Sequence, residues 1–257
     1  MYKRQIFHLL DKRYHWTKWP VVLSAVSDVA AAPIHQIARK GVAVTVLPNG
    51  IDNDAWRIVP QPRDASVVTI VAVMRLAPRK RPLHLVKMIK RVHDQTPAGT
   101  TLRLVVIGEG PERERIEKFI ATNGLSHVVE LVGRRTRDEI RETFARADVF
   151  VAPANLESFG IAALEARCAG LPVVAKARTG IREFVEHEQE GLLADSDGDM
   201  VEQLLRLVVD SELRDKITTR NREHPSPVDW DDVVHLNVDA YRRALALVGR
   251  DQPVSAG

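Results

Sequence analysis

The sequence predicts an α/β protein built on a parallel sheet with helices on both faces. Three observations carry this. From Val67 onward, short β-branched runs alternate with stretches whose apolar residues recur at three- and four-residue spacing, the rhythm of βαβ units. The runs are Val67 to Met74, Leu102 to Ile107, Val128 to Val132, Val149 to Ala152 and Leu171 to Ala175, and the stretches 82–94, 111–123, 137–146 and 158–170 between them read as helices. A chain of 257 residues with 45% hydrophobic content is long enough for one large domain or two smaller ones. Ligands of such sheets bind outside the carboxyl ends of the strands, so functional residues are expected just beyond each run.

The first 58 residues are organised differently. Val21 to Val26 reads as a strand, Asp28 to Lys40 as a helix, and Val42 to Leu47 as a strand running into Pro48-Asn49-Gly50-Ile51-Asp52. Such a unit exposes apolar faces and two sheet edges unless it joins a larger sheet, so an N-terminally truncated domain is expected. At the other end, Glu190-Gly191-Leu192-Leu193 reads as an edge strand, 199–222 as one or two helices, and Asp229 to Leu247 as a closing amphipathic helix.

Composition excludes several classes. A formal net charge of +3 suits a phosphorylated ligand or an anionic membrane surface, demands neither, and does not favour nucleic acid. The single cysteine, Cys168, rules out a disulfide within the chain and reads as a small buried hydrophobe in a reducing compartment. No apolar run approaches the roughly 18 residues of a membrane span, so the cytosol is expected, including the inner face of its membrane. Lys3, Arg4, Lys12, Arg13 and Lys18, with Trp16 and Trp19, read either as a peripheral membrane contact or as a solvated loop with core-anchoring aromatics. The nine histidines show no metal-ligand spacing, and no metal or cofactor is predicted.

Chemistry concentrates beyond the strands. Arg75 and Lys80 follow the first, in Met74-Arg75-Leu76-Ala77-Pro78-Arg79-Lys80-Arg81-Pro82, where two cations can meet phosphate charge; Arg79 and Arg81 read as solvated. Gly108 and Gly110 follow the second, in Gly108-Glu109-Gly110-Pro111, and leave room for backbone to approach a ligand. A dinucleotide fingerprint fails there because Arg113 stands where its third glycine belongs. Arg134 follows the third strand. Beyond the fourth, residues 153–170 read PANLESFGIAALEARCAG, placing Glu165 in an otherwise apolar helix and Glu157 before it. A buried unpaired carboxylate costs several kcal/mol, so Glu165 wants polar partners: a sugar's hydroxyls, or a cation such as Arg167. The amides of Phe159, Gly160 and Ile161 at the helix start are suited to a phosphate group.

The segment Glu157-Ser158-Phe159-Gly160 to Glu165 resembles the E-x7-E motif of the retaining family-4 glycosyltransferases, with Ser-Phe-Gly in place between the two glutamates. The resemblance extends from about Val21 to Tyr241 and takes in Arg75 and Lys80, the Gly108 to Pro111 turn, and Gly180 to Val185. It implies a GT-B fold, two Rossmann-like domains facing across a cleft. Residues 1–58 would then be the remnant of an acceptor domain, 59–225 the nucleotide-sugar-binding domain, and 226–257 a crossover helix and tail that meets only that remnant, leaving apolar surface exposed.

It further implies a metal-independent hexose transfer from a nucleotide-diphospho-sugar with retention of configuration. Arg75 and Lys80 would bind the diphosphate, and Glu157 the transferred sugar. Glu165 would bind the ribose, Ser158, Phe159, Gly160 and Ile161 the sugar-phosphate end, and Gly108, Gly110 and Arg134 the nucleotide. Met74 stands where the family has glycine and is expected to crowd the phosphate. The acceptor, whether lipid, glycan or small molecule, is left open. The alternatives are a non-catalytic donor-binding module, another GT-B enzyme such as an epimerase or phosphorylase, and, weakest, a dehydrogenase. A hydrolase pair needs facing carboxylates about 5–10 Å apart, which a helix start and a position two turns inside suit poorly.

Overall fold

A computed structural model describes residues 21–37, 43–62, 64–247 and Gly249, and the chain divides into two units, 1–50 with 228–257, and 51–227. In the first, β1 (Leu23–Ala25) and β2 (Val44–Val46) pair in parallel, Leu23 opposite Val44, across α1 (Asp28–Ile37). Ser27 caps α1, its Oγ accepting from the Ala30 N–H at 3.0 Å. The end of the predicted first helix, and the basic and aromatic residues Lys3, Arg4, Lys12, Arg13, Trp16, Lys18 and Trp19, lie outside the described residues.

The second unit opens with α2 (Asn53–Trp56), capped by Asp52, and continues through β3 (Val67–Val73), α3 (Pro82–His93), β4 (Thr101–Ile107), α4 (Arg113–Thr122) and β5 (Val129–Gly133). Then follow α5 (Arg137–Arg146), β6 (Val149–Ala152), α6 (Ile161–Cys168), β7 (Val173–Lys176), β8 (Gly191–Ala194), α7 (Asp197–Val209) and α8 (Ser211–Glu223). The six strands are parallel in the order β5-β4-β3-β6-β7-β8. The chain thus winds outward from β3 to β5, returns to β6, and winds outward the other way.

The alternation along β3 sends Val68, Ile70 and Ala72 into a core with Leu85, Val86 and Ile89 of α3, Ile116 of α4, and Leu204 and Val208 of α7. On the opposite face Phe150 of β6 meets Phe144 of α5 edge-on at 6.0 Å, and Phe144 meets Trp56 at 5.8 Å. Helices therefore lie on both faces, as predicted, with one departure. Val67, Thr69, Arg103, Val105, Glu130 and Val132, on the α5 side of β3 to β5, line an open groove of about 580 Å³. The polar residues Arg103 and Glu130 in those strands mark this half-face as wet.

Two boundaries differ from the periodicity. Helix α6 begins at Ile161 rather than 158, because Gly160 takes φ 95 and ψ 55 and ends the loop in a left-handed turn. The stretch 199–222 is two helices because Asp210 is extended, and its carboxylate caps α8 by accepting from the Leu213 N–H at 2.9 Å.

The closing helix, α9 (Trp230–Leu247), belongs to the first unit. A side chain at Gly50 would sit 2.5 Å from the Trp230 ring, so the Pro-Asn-Gly turn packs there only as glycine. Trp230, Val234, Leu236, Tyr241 and Leu247 remain exposed, which matches the expected uncovered apolar face.

Candidate functional site

The winding reverses between β3 and β6, and in doubly wound sheets the crevice at the carboxyl ends of such neighbours is where ligands bind. Arg75 lies two residues beyond β3, exposed, and its guanidinium makes no hydrogen bond or ion pair among the described residues. Lys80 ends a 3-10 turn, Pro78–Lys80, whose Lys80 N–H donates to Ala77 O at 2.9 Å. Its ammonium donates to Glu157 Oε2, in the loop beyond β6. The cation and carboxylate read separately from sequence are therefore neighbours across the reversal.

The Glu157 loop is held from behind. Gly180 donates its N–H to Glu157 O at 2.8 Å, and a side chain there would fall 2.0 Å from Ser158 O. The buried rings of Phe159 and Phe184 meet at 5.3 Å. The turn Gly180–Glu183, which lies within the segment Gly180 to Val185 of the sequence resemblance, is a buttress for the site. In front of it, the N–H groups of Phe159, Gly160 and Ile161 find no acceptor among the described residues, leaving three donors at the start of α6.

Glu165 lies one turn further along α6, about 6 Å in axial rise from Ile161. It is half-buried and makes no hydrogen bond or ion pair among the described residues. Burial pushes its carboxyl up to about 6, against a smaller lowering by Arg137. The sequence offers Arg167 as the alternative partner, but residues two apart project from different sides of a helix. Buried Arg167 instead approaches Glu190 at 4.0 Å and His224 O at 3.4 Å. Arg137, whose guanidinium stacks over Trp56 at 5.0 Å, is the cation Glu165 senses, and it has no sequence signal.

Four other expectations are corrected. The space beside Gly108 and Gly110 belongs to the chain itself: a β-carbon would fall 1.9 Å from Met74 O at Gly108 and 2.4 Å from Leu76 O at Gly110. These glycines let the loops beyond β3 and β4 touch, with Leu76 donating its N–H to Glu109 O at 2.9 Å. Met74 packs against the core instead of crowding the crevice, and Cys168 is half-exposed, its thiol donating to Asn53 Oδ1 at 3.3 Å. Arg81 is not solvated; its guanidinium grips both oxygens of Asp197 at 2.9 and 2.6 Å. Arg81 and Lys176 hold the Asp197 carboxyl far below the usual range, Arg81 contributing most.

Arg134 follows Gly133, which takes φ 76, and its side chain is exposed at the end of β5. Among the described residues, no group of three or more His, Cys, Asp or Glu side chains could hold a metal ion.

Residues 58–224 match the family model described as glycosyl transferases group 1. The chain belongs to the group 1 glycosyltransferases. Among relatives within this group, it is 31% identical over 233 residues to the D-inositol 3-phosphate glycosyltransferase of Stackebrandtia nassauensis, covering 82% of this chain and 52% of that one. It is 30% identical over 189 residues to a GDP-mannose-dependent phosphatidylinositol monomannoside mannosyltransferase of Mycobacterium tuberculosis, covering 68% and 48%. It thus spans about half the length of these curated relatives. The crystal structure of Anabaena Alr3699/HepE in complex with UDP and glucose superposes with a TM-score of 0.70 at 21% identity, covering 88% of this chain and 63% of that one. The fold of this glycosyltransferase chain is accordingly of the GT-B type.

Proposed function

We propose that the crevice between β3 and β6 binds a nucleotide-diphospho-sugar and that the whole protein transfers its hexose with retention of configuration. The observation that carries the reading is the Lys80–Glu157 pair set beside three amides without an acceptor among the described residues, with Glu165, likewise without a partner among them, one turn further along the same helix. Each element meets one part of such a donor.

The diphosphate needs cations and N–H groups. Arg75 is exposed, and Lys80 has three ammonium donors of which Glu157 takes one. The amides of Phe159, Gly160 and Ile161 add neutral donors without a bound counter-anion to displace. When the bond between sugar and phosphate breaks, negative charge grows on the departing oxygen, and donors already in place stabilise it without reorganisation. These cations are why the reading expects no metal. Glu157, fixed by Gly180 and Lys80, offers its remaining lone pairs to hydroxyls of the transferred sugar. Glu165 would accept from the ribose hydroxyls, the partners its burial calls for. The bond from the anomeric carbon to the phosphate oxygen breaks as the acceptor hydroxyl's oxygen bonds to that carbon on the same face, and the departing phosphate oxygen takes the hydroxyl's proton, so no enzymic nucleophile is assigned.

Two relatives are named for an inositol phosphate and a phosphatidylinositol mannoside, and the reading extends their class, a polyol or lipid headgroup, to this chain's acceptor. Because the chain spans about half the length of its relatives, binding without transfer is the second reading, and an assay of sugar release separates the two. The first is tested by calorimetric titration with UDP, GDP, ADP and their sugars in the presence of a chelator. Selective, chelator-insensitive binding of one nucleotide is expected; absence of binding to all of them would contradict the donor site.

A further inference from the structure

Three loops leaving the carboxyl edge of the sheet meet at one guanidinium. Arg81 follows Lys80 beyond β3, and its Nη1 donates to Pro153 O at 3.1 Å and Asn155 Oδ1 at 3.0 Å in the loop beyond β6. Its two terminal nitrogens hold Asp197, at the start of α7, and buried Lys176 at the end of β7 shares Oδ1 of that carboxylate at 2.8 Å. This is the planar fork-to-carboxylate geometry that lysine cannot reproduce.

Two features set it apart from a surface pair. The Arg81 side chain is 13% exposed. Its backbone takes φ 61 and ψ 40, a left-handed conformation in which a β-carbon is disfavoured, so a residue other than glycine sits here at a backbone cost. What the contacts secure lies next door. Lys80 is the preceding residue, and Asn155 is two residues before Glu157. A lysine head on a flexible stem is placed by where its backbone is held and by what its ammonium meets.

We propose that Arg81 is a positioning residue: by tying the loop beyond β3 to the loop beyond β6 and to Asp197, it keeps Lys80 in register with Glu157, where the ammonium meets the diphosphate. The inference rests on the donor-site reading above. Arg81→Gly is the informative variant, since it removes the guanidinium and also relieves the left-handed backbone. Wild type, Lys80→Ala, Arg81→Gly and the double variant would each be titrated with UDP, GDP and ADP and with the corresponding nucleosides.

Lys80→Ala should weaken nucleoside diphosphate binding about ten- to hundredfold and Arg81→Gly about three- to tenfold, with nucleoside binding unchanged in both. In the Lys80→Ala background, Arg81→Gly should cost nothing further. Amide exchange at Ala77, Arg79 and Lys80 should quicken in Arg81→Gly without ligand, which reads the loop independently. The inference is overturned if Arg81→Gly matches wild type while Lys80→Ala does not. It is equally overturned if Arg81→Gly weakens nucleoside and diphosphate alike, or costs as much without Lys80. A wild type that binds no nucleoside diphosphate, or a Lys80→Ala variant that binds it unchanged, instead overturns the donor-site reading and the inference with it.

Discussion

At neutral pH the folded protein carries Glu165 as a half-buried carboxylate that no group among the described residues satisfies, and the cost follows from its titration. Its carboxyl is raised from the ordinary 4.5 to about 6. Below the lower value it is protonated in folded and unfolded chains alike and contributes no difference. Between the two, the folded state binds more protons, so stability falls as pH rises. Above the higher value the full cost is present, about 2 kcal/mol for roughly 1.5 pH units. Glu165→Gln keeps the shape and removes the ionisation. It should therefore leave stability unchanged near pH 4 and raise it by about 2 kcal/mol at pH 8, or about 4–8 °C in melting temperature for a unit of this size. Urea denaturation of both proteins across this pH range, followed by tryptophan fluorescence, measures the difference directly. A variant destabilised at pH 8, or a difference that does not change with pH, would refute the electrostatic account. The same variant should bind nucleotide more weakly, since glutamine loses the charged acceptor.

Other perturbations follow from the same geometry. Lys80→Ala removes one charge-assisted contact worth about 1.5–3 kcal/mol, so calorimetry should show diphosphate affinity falling ten- to hundredfold, with nucleoside affinity retained. Arg137→Ala removes the cation that lowers Glu165, and carboxyl NMR should show that group titrating at higher pH than in wild type. Gly180→Ala drives a methyl group against Ser158 O, which should cost about 1–3 kcal/mol in melting experiments and weaken sugar-nucleotide binding through the displaced Glu157 loop.

The sheet was legible because its strands are β-branched runs and its helices keep the three- and four-residue period, both local properties. The glutamates, Arg75 and Lys80 were legible as a spaced pattern following predicted strands. What escaped depends on partners distant in sequence. Arg81 reads as solvated because its carboxylate lies 116 residues away, and nothing in its side chain announces a left-handed backbone. Gly108 and Gly110 read as openings because the Met74 and Leu76 carbonyls that occupy their flanks arrive from another strand's loop. Arg137 is one of several arginines in a polar helix, and only the fold brings its field to Glu165. The wet half-face between β3 and β5 was foreshadowed by Arg103 and Glu130, whose alternation gives the strands one polar side.

A crystal structure of this chain with its preferred nucleoside diphosphate would show where the donor sits. The diphosphate is expected at the start of α6, within hydrogen-bonding distance of the Phe159, Gly160 and Ile161 amides and of Arg75 and Lys80, with the ribose on Glu165. A nucleotide bound in the groove over β3 to β5, or one whose phosphates leave Lys80 untouched and whose ribose leaves Glu165 without a partner, would contradict this placement.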